Sequence, residues 1–178
     1  INVKQYKAIL KYIKLEPDNV VLDIGFGNGY LINKLLKKNI QIKIYGIEIS
    51  NDMVNKVEIN NRRNIEDGIL KLLLENIKQT SFEKDTFDKL YTVNTFYFWN
   101  NLEQCFSEIK RILKAKGIFL NVIYTKAYLD KIIYTKYGFQ KYTVEEIENI
   151  TKDKGMEIIE TIEIQKNKSN CIITKNIK

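Results

Sequence analysis

The run Val20-Val21-Leu22-Asp23-Ile24-Gly25-Phe26-Gly27-Asn28-Gly29-Tyr30 constrains the fold more than any other stretch of this chain. Its apolar start is the pattern of a buried strand, and three glycines at alternate positions then lead into a helical pattern. Glycine permits a tight turn and lets backbone approach a ligand with no Cβ in the way. The helix that follows presents free N–H groups to a polar or anionic group. A nucleotide-like ligand lying across the carboxyl ends of parallel strands needs such a loop.

Three details narrow the ligand. Dinucleotide-binding dehydrogenases carry G-x-G-x-x-G, whereas the spacing here is G-x-G-x-G, with Tyr30 where the third small residue would fall. Asp23 stands two residues before the first glycine, where it opposes a pyrophosphate and suits a cation. Glu48 ends a second strand-like run, Ile42 to Ile47, and a carboxylate there can accept hydrogen bonds from both hydroxyls of a ribose. A ribose, an ammonium and no phosphate describe S-adenosylmethionine.

At this point the chain resembles the class I S-adenosylmethionine-dependent methyltransferases. Asp23-Ile24-Gly25-Phe26-Gly27-Asn28-Gly29 is similar to the first motif of that family and Glu48 to the second. Phe87-Asp88-Lys89-Leu90-Tyr91 resembles its fourth strand, and Glu108 to Gly117 its last helix and turn before the fifth, with Ala115-Lys116-Gly117 in place of Pro-Gly-Gly. The likeness runs from about Val20 to Val122. It implies a doubly wound, Rossmann-like α/β fold: a seven-stranded sheet of order 3-2-1-4-5-7-6 with the last strand antiparallel. It also implies the cofactor S-adenosylmethionine and a small-molecule methyl acceptor, on the pattern of quinone-biosynthesis-type members.

Strand and helix patterns alternate as that fold requires. An opening helix is expected over about Val3 to Leu15, ended by Pro17, then helices over Asn28 to Lys38 and from a Ser50–Asp52 cap to Asn61. Strands three to five are expected at Ile69–Leu74, Phe87–Val93 and Gly117–Ile123. Thr143 with Glu146 is a capping box for a helix to Lys154, and Glu157–Gln165 and Asn170–Thr174 form a hairpin. The whole, residues 1–178, is expected to be one domain, with an N-terminal helical segment (1–18) and an insert at 125–142 that shapes the acceptor site or packs as a surface helix. Because the chain opens on Ile1 rather than Met, a native segment before it is also expected.

Composition limits the alternatives. Net charge is +7, but only Arg62, Arg63 and Arg111 of the 29 basic residues are arginine. Arginine's planar fork is the stronger reader of phosphate and bases, so nucleic acid is not the expected partner. No apolar run has the length of a membrane span and no signal-peptide pattern opens the chain. Cys105 lies on an apolar helical stripe, and two distant cysteines suit a reduced, cytoplasmic protein. The absence of histidine removes the commonest general base and the commonest metal ligand; no metal is expected, and no catalytic base is assigned.

The candidate cofactor residues are Asp23, Gly25, Gly27, Asn28, Gly29, Glu48, Ile49, Glu75, Asn76 and Asn94. Asp23 faces the ammonium directly or through water, or else is a structural strand-end carboxylate. Ile49 covers the adenine, or else belongs to the core. Glu75 and Asn76 follow the third strand where the family places an acceptor for the adenine amino group. Asn94 stands near the methionine end. The aromatic row Phe96-Tyr97-Phe98-Trp99 leaves the fourth strand at the ligand edge; Tyr97, Phe98 and Trp99, with Tyr128 from the insert, are expected to line an acceptor pocket.

Asn94-Thr95-Phe96-Tyr97 also resembles, at its first and last positions, the Asn-Pro-Pro-Tyr of nucleobase amino-methyltransferases. A tRNA, rRNA or DNA base is therefore the alternative acceptor, and a non-catalytic S-adenosylmethionine-binding protein the alternative without transfer. An aminopropyltransferase would need carboxylates where Asn94 and Thr95 stand.

Overall fold

The computed structural model describes residues 2–178; Ile1 lies outside them. Seven strands, β1 (Val20–Ile24), β2 (Lys43–Glu48), β3 (Leu70–Leu74), β4 (Phe87–Val93), β5 (Leu113–Tyr124), β6 (Met156–Gln165) and β7 (Ser169–Asn176), form one sheet of order β3-β2-β1-β4-β5-β7-β6. The first five run parallel, and β7 is antiparallel to both β5 and β6. This is the expected order and orientation. Strand order reverses between β1 and β4, so the crevice outside their carboxyl ends is the natural ligand edge.

Among the described residues seven α-helices accompany the sheet: α1 (Val3–Tyr12), α2 (Tyr30–Leu36), α3 (Asn51–Asn60), α4 (Arg62–Glu66), α5 (Leu102–Ile112), α6 (Lys126–Leu129) and α7 (Val144–Asp153). The near-continuous apolar runs of the strands follow from burial on both sides. On β1, Val21 packs with Ile9 of α1, Ile32 and Leu35 of α2 and Val57 of α3. Leu22 and Ile24 face the other way, onto Phe106, Ile109 and Ile112 of α5. Cys105 sits in that second core and is buried, as the stripe predicts.

Two boundaries differ from the sequence expectation by three residues or more. Helix α1 stops at Tyr12 because Lys14 takes a left-handed conformation (φ 44°), well before Pro17. Helix α5 runs straight into β5 at Leu113, which pairs with Phe87; pairing then resumes at Ile118 with Lys89. The segment Ala115-Lys116-Gly117 is thus a bulge inside the strand, with Lys116 at φ 61°. At the tail, the Thr143 hydroxyl accepts from the Glu146 N–H at 3.1 Å and the Glu146 carboxylate accepts from the Thr143 N–H at 2.7 Å. Both halves of the expected capping box are present.

Candidate active site at the carboxyl edge of the sheet

The glycine loop leaves β1 and is tied at once to β2. The Gly25 N–H donates to the Ile47 carbonyl at 2.8 Å, and the Gly27 N–H donates to Glu48 Oε2 at 3.0 Å. The other Glu48 oxygen accepts from the N–H groups of Ile49 and Ser50 at 2.9 and 3.2 Å. One carboxylate therefore fixes two loops. A carboxylate has about four acceptor positions, so Glu48 keeps acceptor capacity beyond its three backbone bonds.

The glycines divide their tasks. A Cβ on Gly27 would meet nothing within 4 Å, whereas one on Gly29 would stand 2.8 Å from Val57 Cγ1 and one on Gly25 2.5 Å from Thr95 Cγ2. Gly25 and Gly27 line a cavity of about 280 Å³. Gly29 does not line it; at φ 72° it caps α2 and lets α3 pack close. Asn28 is exposed, and its side-chain oxygen accepts from the Tyr30 N–H at 3.1 Å, which starts α2 rather than lining the cavity.

The walls of this smaller cavity are Ile24, Ile47, Ile77 and Trp99, with Glu48 and Glu75 as polar groups. Ile49 is at its rim and 68% exposed, which removes it from the core. Asn76 lines it too, its side-chain oxygen accepting from the Lys78 N–H at 3.0 Å. The Glu75 carboxylate is turned toward Ser81, accepting from its hydroxyl at 2.5 Å and its N–H at 3.2 Å.

Asp23 lies under the loop, buried, and lines neither cavity. Burial pushes its carboxyl up to about 8, the Tyr91 hydroxyl beside it acts downward, and the Glu48 charge acts upward. Register pairing of Asp23 with Tyr91 places the two side chains together, yet the hydroxyl closes no hydrogen bond of good geometry.

A second cavity, of about 540 Å³, opens beside the first. A single 3-10 turn over Phe96–Phe98 separates the two. Phe96 turns into the core against Phe106 and Tyr142. Tyr97 walls the larger cavity, Trp99 walls the smaller, and Phe98, 58% exposed, faces both. Trp99 was expected in the acceptor pocket and is on the other side of that partition, because a turn of about three residues fans successive side chains apart.

Asn94, expected by the cofactor, lies on the wall of the larger cavity instead. Its side-chain oxygen accepts from the Tyr97 hydroxyl at 3.3 Å, and that hydroxyl accepts from the Tyr124 N–H. Tyr128 lines the larger cavity as expected, together with Tyr134 and Phe139 of the 125–142 segment. Burial holds the Tyr97 and Tyr124 hydroxyls above the ordinary tyrosine range.

Sequence reasoning missed Ile77, Lys78 and Thr95 on the smaller cavity and Gln5, Gln165 and Lys168 on the larger. The last two had a signal: once β7 is antiparallel, the hairpin turn before Ser169 must lie at the ligand edge.

A family model for a methyltransferase domain matches residues 22–121. The chain belongs to this methyltransferase family. It is 27% identical over 97 residues to the uncharacterized methyltransferase YdaC of Bacillus subtilis, covering 54% of this chain and 51% of that protein. It is 26% identical over 120 residues to 24-methylenesterol C-methyltransferase 3 of Arabidopsis thaliana, covering 66% of this chain and 33% of that one. The chain thus spans about half, or less, of these curated relatives. Its fold matches the crystal structure of a SAM-dependent methyltransferase from Aquifex aeolicus with a TM-score of 0.80 at 20% identity, over 98% of this chain and 92% of that one.

The methyltransferase cofactor, S-adenosylmethionine, suits the smaller cavity: Gly27 leaves an open cradle, Glu48 keeps acceptor capacity, and a buried carboxyl stands beneath the loop for a cation. Among the described residues, no helix is long and apolar enough to cross a membrane and no cluster of metal-ligating side chains occurs.

Proposed function

We propose that this methyltransferase moves the methyl group of S-adenosylmethionine to a small molecule held in the larger cavity. The observation that carries the reading is the partition: a glycine-lined cavity and an aromatic cavity meet at one exposed side chain, Phe98. S-adenosylmethionine supplies a methyl group already activated on a sulfonium, so the protein's task is to hold two reactants in line and exclude water.

In this reading Glu48 accepts from the ribose hydroxyls, and Gly25 and Gly27 admit the ligand against backbone. Ile49, Ile77 and Trp99 flank the adenine, with Glu75 and Asn76 at its polar edge. Asp23 balances the ammonium from beneath the loop, through water, since it lines neither cavity. Tyr97, Phe98 and Tyr128 shape the acceptor's seat, and Asn94 stands on the acceptor's side.

The Tyr97 ring favours a small acceptor over a flipped nucleobase. It is buried and stacked on Phe139 at 5.6 Å, so its face is already covered. The 24-methylenesterol C-methyltransferase among the relatives is named for an apolar acceptor, which agrees with aromatic walls. The test is release of S-adenosylhomocysteine when the protein is incubated with S-adenosylmethionine and a panel of aromatic, isoprenoid and acidic small molecules. Acceptor-dependent release is expected; tight binding with no release from any of them would favour a non-catalytic binding protein.

A further inference from the structure

The charged side chains that line the larger cavity are of one sign. Among the described residues that line it, Lys4 and Lys168 are the charged ones, and no carboxylate joins them. The nearest acidic side chain of the insert, Asp130, is held by Lys126 at 2.7 Å and Lys141 at 3.1 Å, and does not line the cavity. The first turn of α1, which carries Lys4, contains no acidic residue and adds a further positive end.

Aromatic walls alone would suit a cationic ligand as well as an apolar one. Here that seat is already taken. Lys168 Nζ lies 4.7 Å from the centre of the Tyr128 ring and 5.8 Å from that of Tyr124, two rings that stand 5.2 Å apart. The protein's own ammonium lies against these two rings, so a second cation brought to them would meet like charge.

We infer that the acceptor is an apolar or aromatic molecule bearing an anionic group, with its body against Phe98 and Phe139 and its anion toward Lys168. The inference rests on reading this cavity as the acceptor site, and it adds the substrate's charge. The same arrangement disfavours a cationic acceptor, which would meet Lys4 and Lys168 with no carboxylate among the lining residues. Lys168 acts here as a specificity-determining residue: it holds the acceptor's anion and takes no part in the transfer.

The experiment uses three probes of one shape, naphthoate, naphthylmethanol and naphthylmethylammonium, titrated by calorimetry into the protein without cofactor. Naphthoate should bind at least about ten-fold more tightly than the alcohol, with the ammonium weakest. Lys168→Gln should erase the preference for the anion, Lys168→Arg should restore most of it, and both should bind S-adenosylhomocysteine as the native protein does. Equal affinity for the three probes, preference for the ammonium, or an anion preference that survives Lys168→Gln would overturn the inference. The cofactor titration separates the two claims: native protein that prefers naphthoate but binds no S-adenosylhomocysteine would overturn the assignment of this cavity to a methyl acceptor.

Discussion

Gly27 and Gly29 stand two residues apart in one loop and answer to different constraints. Both have positive φ, 53° and 72°, so alanine at either position carries the left-handed penalty of about 1 kcal/mol. At Gly29 the added methyl also collides with Val57, which adds about 1–3 kcal/mol. At Gly27 it enters the cavity instead. Gly29→Ala should therefore lower stability by roughly 2–4 kcal/mol in urea unfolding, while Gly27→Ala stays folded and loses cofactor affinity by at least about ten-fold. The reverse pattern would mean that the loop's open side is not the ligand's.

Asp23 gives the pH dependence. In the ligand-free protein burial raises its carboxyl to about 8, so near pH 7 it is mostly protonated. A cation brought close favours the charged form and lowers that value. Cofactor binding near neutrality should then release up to about one proton, and affinity should rise with pH until about 8 and level off above it. Calorimetry in buffers of different ionisation heat reads the proton directly. Asp23→Asn should abolish the release; a native affinity indifferent to pH across that range would count against a cation near Asp23.

The positions of Glu48 and the glycines were legible because chemistry and spacing coincide there. The cavity that Trp99 or Asn94 lines was not, since one residue more or less around a short turn decides which cavity a side chain meets.

At the scale of elements, all seven strands and the Thr143 capping box are written in local patterns, whereas the end of α1 and the bulge in β5 depend on single residues at positive φ. What holds α1 in place is not local either. Gln5, buried on its inner face, donates to Gln165 Oε1 at 2.9 Å and to Ser169 Oγ at 3.4 Å, across the sheet's far edge. The periodicity of α1 marks Val3, Tyr6, Ile9, Leu10 and Ile13 as its apolar face and passes over this glutamine. Gln5→Ala removes a buried donor and leaves its partners short of a bond, which costs about 1–3 kcal/mol. The variant should unfold at lower urea and exchange amide hydrogens faster along α1, loosening the wall of the larger cavity; unchanged exchange in α1 would show that apolar packing alone fixes the helix.

For the molecule as a whole, the sheet order places every loop that matters at one edge. The turns after β1, β2, β3 and β4 meet the smaller cavity. The turn after β4, the start of α1, the segment after β5 and the β6–β7 turn meet the larger one. The family motifs carried this arrangement as far as the smaller cavity. The second cavity was only partly legible, because it is assembled from segments far apart in sequence that converge only once β7 has reversed direction.

The central claim is that the glycine-lined cavity, anchored by Glu48, takes S-adenosylmethionine. Calorimetric titration of S-adenosylhomocysteine into the native protein and Glu48→Ala tests it most directly, with Glu48→Gln to separate the loop's anchoring from the ligand's. The native protein should bind at micromolar concentration, and Glu48→Ala should bind about ten- to a hundred-fold more weakly, the equivalent of one charge-assisted hydrogen bond. An affinity unchanged by Glu48→Ala, or no binding by the native protein, would contradict the account.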